Sequence, residues 1–119
     1  MTIKILGAHK SSTRNAFTFE KTQEFIKGFV GFLHDLDFSE FDIMTCHFAH
    51  KIDKKTNEPI MTSEVDINEY IDTTFNFENG KYNIELIFGK SKIFVYIYTK
   101  EDKQQEILDK IQKFSSFDL

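Results

Sequence analysis

The most regular pattern in this chain is a two-residue alternation running from about residue 71 to residue 99. Ile71, Thr73, Phe75 and Phe77 precede Asn79-Gly80, and Tyr82, Ile84, Leu86 and Phe88 follow it. Alternation with period two predicts strands that bury one face. Asn-Gly between two such runs predicts a hairpin on a type I′ turn, whose two central residues both need positive φ. Around that turn Phe77 faces Tyr82, Phe75 faces Ile84, Thr73 faces Leu86 and Ile71 faces Phe88. The other face pairs Glu78 with Lys81, Asn76 with Asn83 and Thr74 with Glu85, so one side is apolar and one polar. A further turn at Gly89-Lys90-Ser91 returns the chain into Ile93–Thr99, with Ile93, Val95 and Ile97 beside Ile84, Leu86 and Phe88.

The period changes near the N-terminal third. Phe25, Ile26, Phe29, Val30, Leu33 and Leu36 recur at helical spacing, which predicts a helix from about Thr18 or Glu20 to Leu36. Gly28 and Gly31 weaken it by about 1 kcal/mol each relative to Ala and let its backbone approach a sheet. Ile3, Ile5 and Leu6 predict a short first strand, and Gly7 to Asn15 a polar connection. The alternative is a strand over Ala16-Phe17-Thr18-Phe19 before the helix.

Met44, Cys46, Phe48 and Ile52 alternate as a strand would. Asp53 to Pro59 reads as a polar hairpin loop leading to a weak strand from Ile60 to Val65. Asp66-Ile67-Asn68-Glu69 resembles a helix cap. Thr99, with Asp102 three residues later, caps a last helix whose apolar stripe is Ile107, Leu108, Ile111 and Phe114. The predicted fold is α+β: a mostly antiparallel meander of about five to six strands with two helices packed on one face. The element order is β-α-β-β-β-β-β-α, in a single globular domain over residues 1–119.

Composition narrows the function classes. With 119 residues, 40% hydrophobic and 29% charged, the chain can fold without metal or disulfide, and its one cysteine, Cys46, rules out an intramolecular bridge. The 15 basic and 19 acidic residues leave a net charge of −4, which argues against nucleic-acid and anionic-membrane partners. Fourteen of the cations are Lys; the only Arg, the side chain suited to forked recognition of phosphate or guanine, is Arg14. Abundant Lys, Ile, Phe and Asn fits an AT-rich coding genome. The start, Met1 to Leu6, has no signal-peptide pattern, and the longest apolar run, Phe25–Leu33, falls short of the ~20 residues of a span. These features predict a cytoplasmic protein.

Several constellations invite chemistry. Cys46, His47 and His50 are dense in sequence, but on a strand Cys46 and His50 lie roughly 13 Å apart and His47 points the other way. No metal site and no cofactor are therefore expected. Gly89-Lys90-Ser91 lacks the upstream glycine and following helix of a phosphate loop. His34-Asp35 lie about 100° apart on a helix, and His34 suits the negative helix end. Glu20 and Glu24 form a solvated face. The connection carrying His9, Lys10 and Arg14 follows a strand and precedes the predicted helix, an arrangement able to hold an anion. Ser11 or Ser12 with His9 lacks an orienting acid.

The outward row of the last strand is the most unusual feature. If Ile93, Val95 and Ile97 face the core, Phe94, Tyr96 and Tyr98 face away, near Ile87, and Glu85 lies on the adjoining strand. Aromatics in such a row predict a surface covered by another protein or by a base stack, the alternative being that the first strand's surroundings, a loop or the curl of the sheet covers them. No complete catalytic constellation is present, so the chain is expected not to be an enzyme. The function that fits is a small acidic protein-binding module: a stoichiometric inhibitor of immunity type that neutralises a basic bacterial toxin, such as a nuclease, by direct binding. The alternatives are an acidic secretion chaperone of an effector, and a small enzyme with an anion site at His9–Arg14.

Overall fold

A computed structural model describes residues 3–11, 14–62, 65–99 and 103–115. In chain order the elements are β1 (Ile5–Lys10), β2 (Arg14–Glu20), α1 (Glu24–Asp35), α2 (Glu40–Met44), β3 (His50–Ile52), β4 (Pro59–Met61), a 3-10 turn (Ile67–Glu69), β5 (Thr73–Glu78), β6 (Tyr82–Phe88), β7 (Lys92–Thr99) and α3 (Gln104–Phe114). Five strands form one antiparallel sheet in the order β1-β2-β7-β6-β5, and β3 pairs with β4 apart from it. Helices α1 and α3 pack together over one face of an open sheet, an α+β arrangement.

The N-terminal third departs from the predicted connection and long helix. Residues 14–20 form a strand, as in the alternative at Ala16–Phe19, and the helix begins only at Glu24. Phe17 and Phe19 alternate with Ala16 and Thr18 and are 3% and 0% exposed. A strand lying between two partners satisfies its backbone on both edges, which outweighs the weak helical pattern there. Ser11 N–H donates to the Arg14 carbonyl at 2.9 Å and closes the β1–β2 hairpin. The first strand therefore extends to Lys10, into the region expected to be a polar connection.

The end of α1 explains where the helix stops. Asp37 has φ 69°, and the N–H groups of Asp37 and Phe38 return to the carbonyls of His34 and Leu33. This is a Schellman termination, with Phe38 packed back into the core. Ser39 and Asp42 then form a reciprocal capping box that starts α2, so Met44–Phe48 is a short helix end and turn where a strand was expected. The capping signal at Ser39 overrides the short alternation. The weak strand expected from Ile60 is confined to Pro59–Met61, and Asp66 does cap the 3-10 turn, accepting from Asn68 N–H at 2.9 Å. Thr99 ends β7, and the residue that precedes α3 is Lys103, with the helix starting at Gln104; Asp102 lies outside the described residues.

The β5–β6 hairpin forms with its turn moved by one residue. The observed pairs are Phe77 with Ile84, Phe75 with Leu86 and Thr73 with Phe88, so Gly80 and Lys81 are the central turn residues. Gly80 has φ 88°, and Lys81 is not among the positive-φ residues, which is type II′ geometry with Gly first. Moving the turn by one residue shifts each pair by two, so no side chain changes face. The side chain of Asn79 decides the register: its Oδ1 accepts from Lys81 N–H at 3.0 Å and Tyr82 N–H at 2.9 Å, while Nδ2 donates to the Leu36 carbonyl at 2.8 Å. The β6–β7 register matches the expectation, with Phe88, Leu86 and Ile84 opposite Ile93, Val95 and Ile97.

The core is built largely from phenylalanine rings. Phe25 stacks on Phe29 with centroids 5.1 Å apart and meets Phe19 of β2 at 5.2 Å. Phe114 of α3 reaches Phe32 at 5.2 Å, and Phe48 meets Phe75 at 5.2 Å. Gly28 serves close approach, but to Ile3 and Phe114 rather than to the sheet, and Gly31 faces open space.

Candidate functional site

The side of the sheet away from the helices is set by the registers of its strands. Across β2, β7, β6 and β5 run three rows: Thr18, Phe94, Ile87, Thr74; then Ala16, Tyr96, Glu85, Asn76; then Arg14, Tyr98, Asn83, Glu78. Gly7 and His9 of β1 continue the first two rows beside Thr18 and Ala16. The inward residues between them, Phe17, Phe19, Ile93, Val95 and Ile97, are buried, which fixes the outward direction of Phe94, Tyr96 and Tyr98. Tyr98 is 38% exposed, and Phe94, Tyr96 and Glu85 are partly exposed. The ring contacts that α1 and α3 make with the sheet among the described residues run to the opposite face, through Phe19, Phe77 and Phe88.

The row Phe94, Tyr96, Tyr98 with Glu85 thus lies together on one surface, as the alternation predicted. Arg14 joins it, which sequence reasoning missed. Its guanidinium carbon lies 5.1 Å from the centre of the Tyr96 ring, a cation–π contact that also holds the ring. The contact exists because β2 pairs directly with β7, a neighbour that local pattern does not reveal. On the β1 side, Gly7, Ala16 and Thr18 leave a depression of about 350 Å³ bounded by His9, Phe94 and Tyr96. Arg14 and, at the other end of the same strand, Glu20 flank the aromatic row on one side, Glu85 and Glu78 lie on the other, and Lys92 stands in the row itself.

No family model matches this chain, and no curated protein or solved structure matches it.

The anion site expected at His9, Lys10 and Arg14 is not assembled. No helix follows Arg14, so the helix N-terminus that would face an anion is missing from the arrangement. His9 is exposed on the outward face, whereas Lys10 Nζ donates to Gln104 Oε1 of α3 at 2.7 Å on the helix side. Arg14 turns to Tyr96 instead. Alternation along β1 and β2 separates residues that are adjacent in sequence.

Cys46–Ala49 is a turn rather than a strand, with His47 and Ala49 at φ 60° and 56°, and His50 begins β3. His47 and His50 rings come within 6.1 Å, and His50 Nδ1 lies 2.6 Å from the Phe48 carbonyl oxygen. Cys46 Sγ donates to the Asn76 carbonyl at 2.7 Å, and burial pushes its thiol pKa up. Among the described residues no three His, Cys, Asp or Glu side chains converge as a metal requires. His34, at the end of α1, has Nδ1 3.0 Å from the Phe38 carbonyl oxygen, which fits its expected role at a helix terminus. No helix among the described residues is long and apolar enough to cross a membrane.

Proposed function

We propose that the chain is a protein-binding module that works through the outward face of its sheet. The observation that carries this reading is the gathering of Phe94, Tyr96 and Tyr98, three large rings, on the side that α1 and α3 leave uncovered. Aromatics are favoured interface anchors because each buries much area while losing little side-chain entropy. Arg14 braces the central ring, so Tyr96 is positioned before a partner arrives. In the finer reading, this is a stoichiometric inhibitor of immunity type that covers a basic bacterial toxin, such as a nuclease. The net charge of −4 and the carboxylates Glu78 and Glu85 beside the rings suit such a partner and speed encounter with it.

The test is a pull-down with the purified chain, followed by titration calorimetry against the protein captured; a basic toxin domain supports the finer reading. A one-to-one complex is expected, and Tyr96→Ala should weaken it by about 2 kcal/mol, roughly 30-fold, if the ring is a central anchor. A denaturant melt of the free variant should change little. Unchanged affinity together with a large loss of stability would show that Tyr96 serves the fold and not a partner.

A further inference from the structure

The inward row of β2 holds one residue out of keeping with its neighbours. Positions 15, 17 and 19 all face the helices; two are phenylalanine, and the first is Asn15. Asn15 is 6% exposed, and among the described residues no other polar or charged residue is buried to that extent. Its carboxamide makes no hydrogen bond among them. A buried amide without a partner costs stability, so its presence calls for something that completes it.

Asn15 lines a pocket of about 240 Å³ on the helix side of the sheet. Its cross-strand neighbour Lys10 forms one wall with Ala8, and Gln104 and Leu108, one turn apart on α3, form the other. Phe17 lies beside Asn15 in the floor. Space remains there because Ala8, opposite Phe17, extends only a methyl group. Lys10 Nζ donates to Gln104 Oε1 at 2.7 Å and ties the two walls together.

We propose that this pocket binds a small monocarboxylate, with the carboxylate between the Asn15 amide and Lys10 and the apolar body against Ala8, Phe17 and Leu108. The charge of the lining sets the class. Among the described residues no acidic side chain lines the pocket, and Lys10 places a cation in its wall. A carboxylate accepts charge-assisted hydrogen bonds from an ammonium, and these are stronger than bonds to a neutral ligand. Asn15 and Lys10 stand directly opposite on paired strands, with Cβ atoms roughly 5 Å apart, so one head group reaches both. An ammonium has three donors, so Lys10 can serve a ligand and Gln104 together. The volume falls below the roughly 300–1,000 Å³ of sites for drug-sized ligands, which limits the body to a few carbon atoms. The pocket lies on the opposite side of the sheet from Phe94, Tyr96 and Tyr98, so this site and the protein-binding reading stand or fall separately.

The test is two-dimensional NMR of the full chain titrated with sodium butyrate at constant ionic strength, with butyramide as the neutral counterpart. Butyrate should give saturable shifts of the Asn15 side-chain NH₂ and of the Ala8 and Leu108 amides, with a dissociation constant of about 1 mM. Butyramide should bind about tenfold more weakly, and Lys10→Met should weaken butyrate by a similar factor. Asn15→Leu should abolish the shifts. It should also raise the melting temperature of the free chain by a few degrees, because it replaces an unpartnered amide with an apolar group of similar size. A wild type with no saturable shift up to about 50 mM butyrate overturns the proposal, as does butyramide that binds as tightly. Undiminished binding of butyrate to either variant overturns it too. An Asn15→Leu chain that melts below wild type would show that the amide serves the fold, and the site would fall with it.

Discussion

Replacing Asn79 tests the tie between the β5–β6 hairpin and the end of α1. Its side chain makes three hydrogen bonds, two accepted within the turn and one donated to the Leu36 carbonyl, at 2.8 to 3.0 Å. Each is worth about 0.5–1.5 kcal/mol net, and the Tyr82 and Leu36 partners are buried, so Asn79→Ala should destabilise the protein by about 2–3 kcal/mol. Asn79→Asp keeps both hydrogen bonds accepted by Oδ1, loses the donor and sets a negative charge against the carbonyl end of α1. It should cost about 1–1.5 kcal/mol. Urea denaturation followed by far-ultraviolet circular dichroism measures both, and an unchanged slope with denaturant would show that only stability moved. With a slope near 2 kcal/mol/M, the Ala variant should lose about 1 M in midpoint. A midpoint within about 0.2 M of wild type would refute the assignment, as would an Asp variant no more stable than Ala.

Other substitutions and a titration probe separate features. Gly80 has φ 88° and open space where a methyl group would project, so Gly80→Ala should lose about 1 kcal/mol and Gly80→Val about 2 kcal/mol through backbone strain alone, read in the same urea assay. The two glycines of α1 should respond in opposite directions. A Cβ at Gly28 would collide with Ile3 Cδ1 and sit 3.1 Å from Phe114, so Gly28→Ala should destabilise by about 1 kcal/mol, whereas Gly31→Ala, with nothing near, should stabilise by up to about 1 kcal/mol; melts that rank them alike would refute this packing. Burial first, then Glu106, pushes the Tyr82 phenol up to about 12. The folded chain keeps this proton where the unfolded chain releases it near pH 10, so stability present below pH 10 should fall by up to about 2 kcal/mol as pH rises toward 12. Absorbance titration at 295 nm should lose its late component in Tyr82→Phe.

The parts of the fold legible in the sequence are those fixed by local chemistry. Alternation across Phe75–Ile97 revealed three strands and the faces of all their side chains, and the spacing of Phe25, Phe29 and Leu33 revealed α1. The hairpin turn was misplaced by one residue because Asn79 acts through its side chain and not through its backbone angles. Ser39 and Asp42 carried the signal for α2, but a five-residue helix lacks the periodicity that would draw attention to it. The strand β2 was obscured because β7, the partner that makes it a central strand, lies at the other end of the chain. The same blindness applied to the candidate site. Phe94, Tyr96, Tyr98 and Glu85 could be placed on one face by counting, whereas Arg14 could reach Tyr96 only once β2 was known to lie beside β7.

That long-range pairing also bears on how the protein is made. Strands β5, β6 and β7 are joined by tight turns and can associate as soon as they leave the ribosome. Strand β2, by contrast, is synthesised early and must await β7, which at 5–20 residues per second takes roughly 4–15 s. Throughout that interval Phe17 and Phe19 have no sheet to enter, and the β1–β2 hairpin is too small to bury them unaided. The nascent chain therefore presents a sticky amino-terminal hairpin before it has a core. Slower translation between β2 and β7 should lengthen that exposure and increase the dependence of soluble yield on chaperones that hold hydrophobic segments.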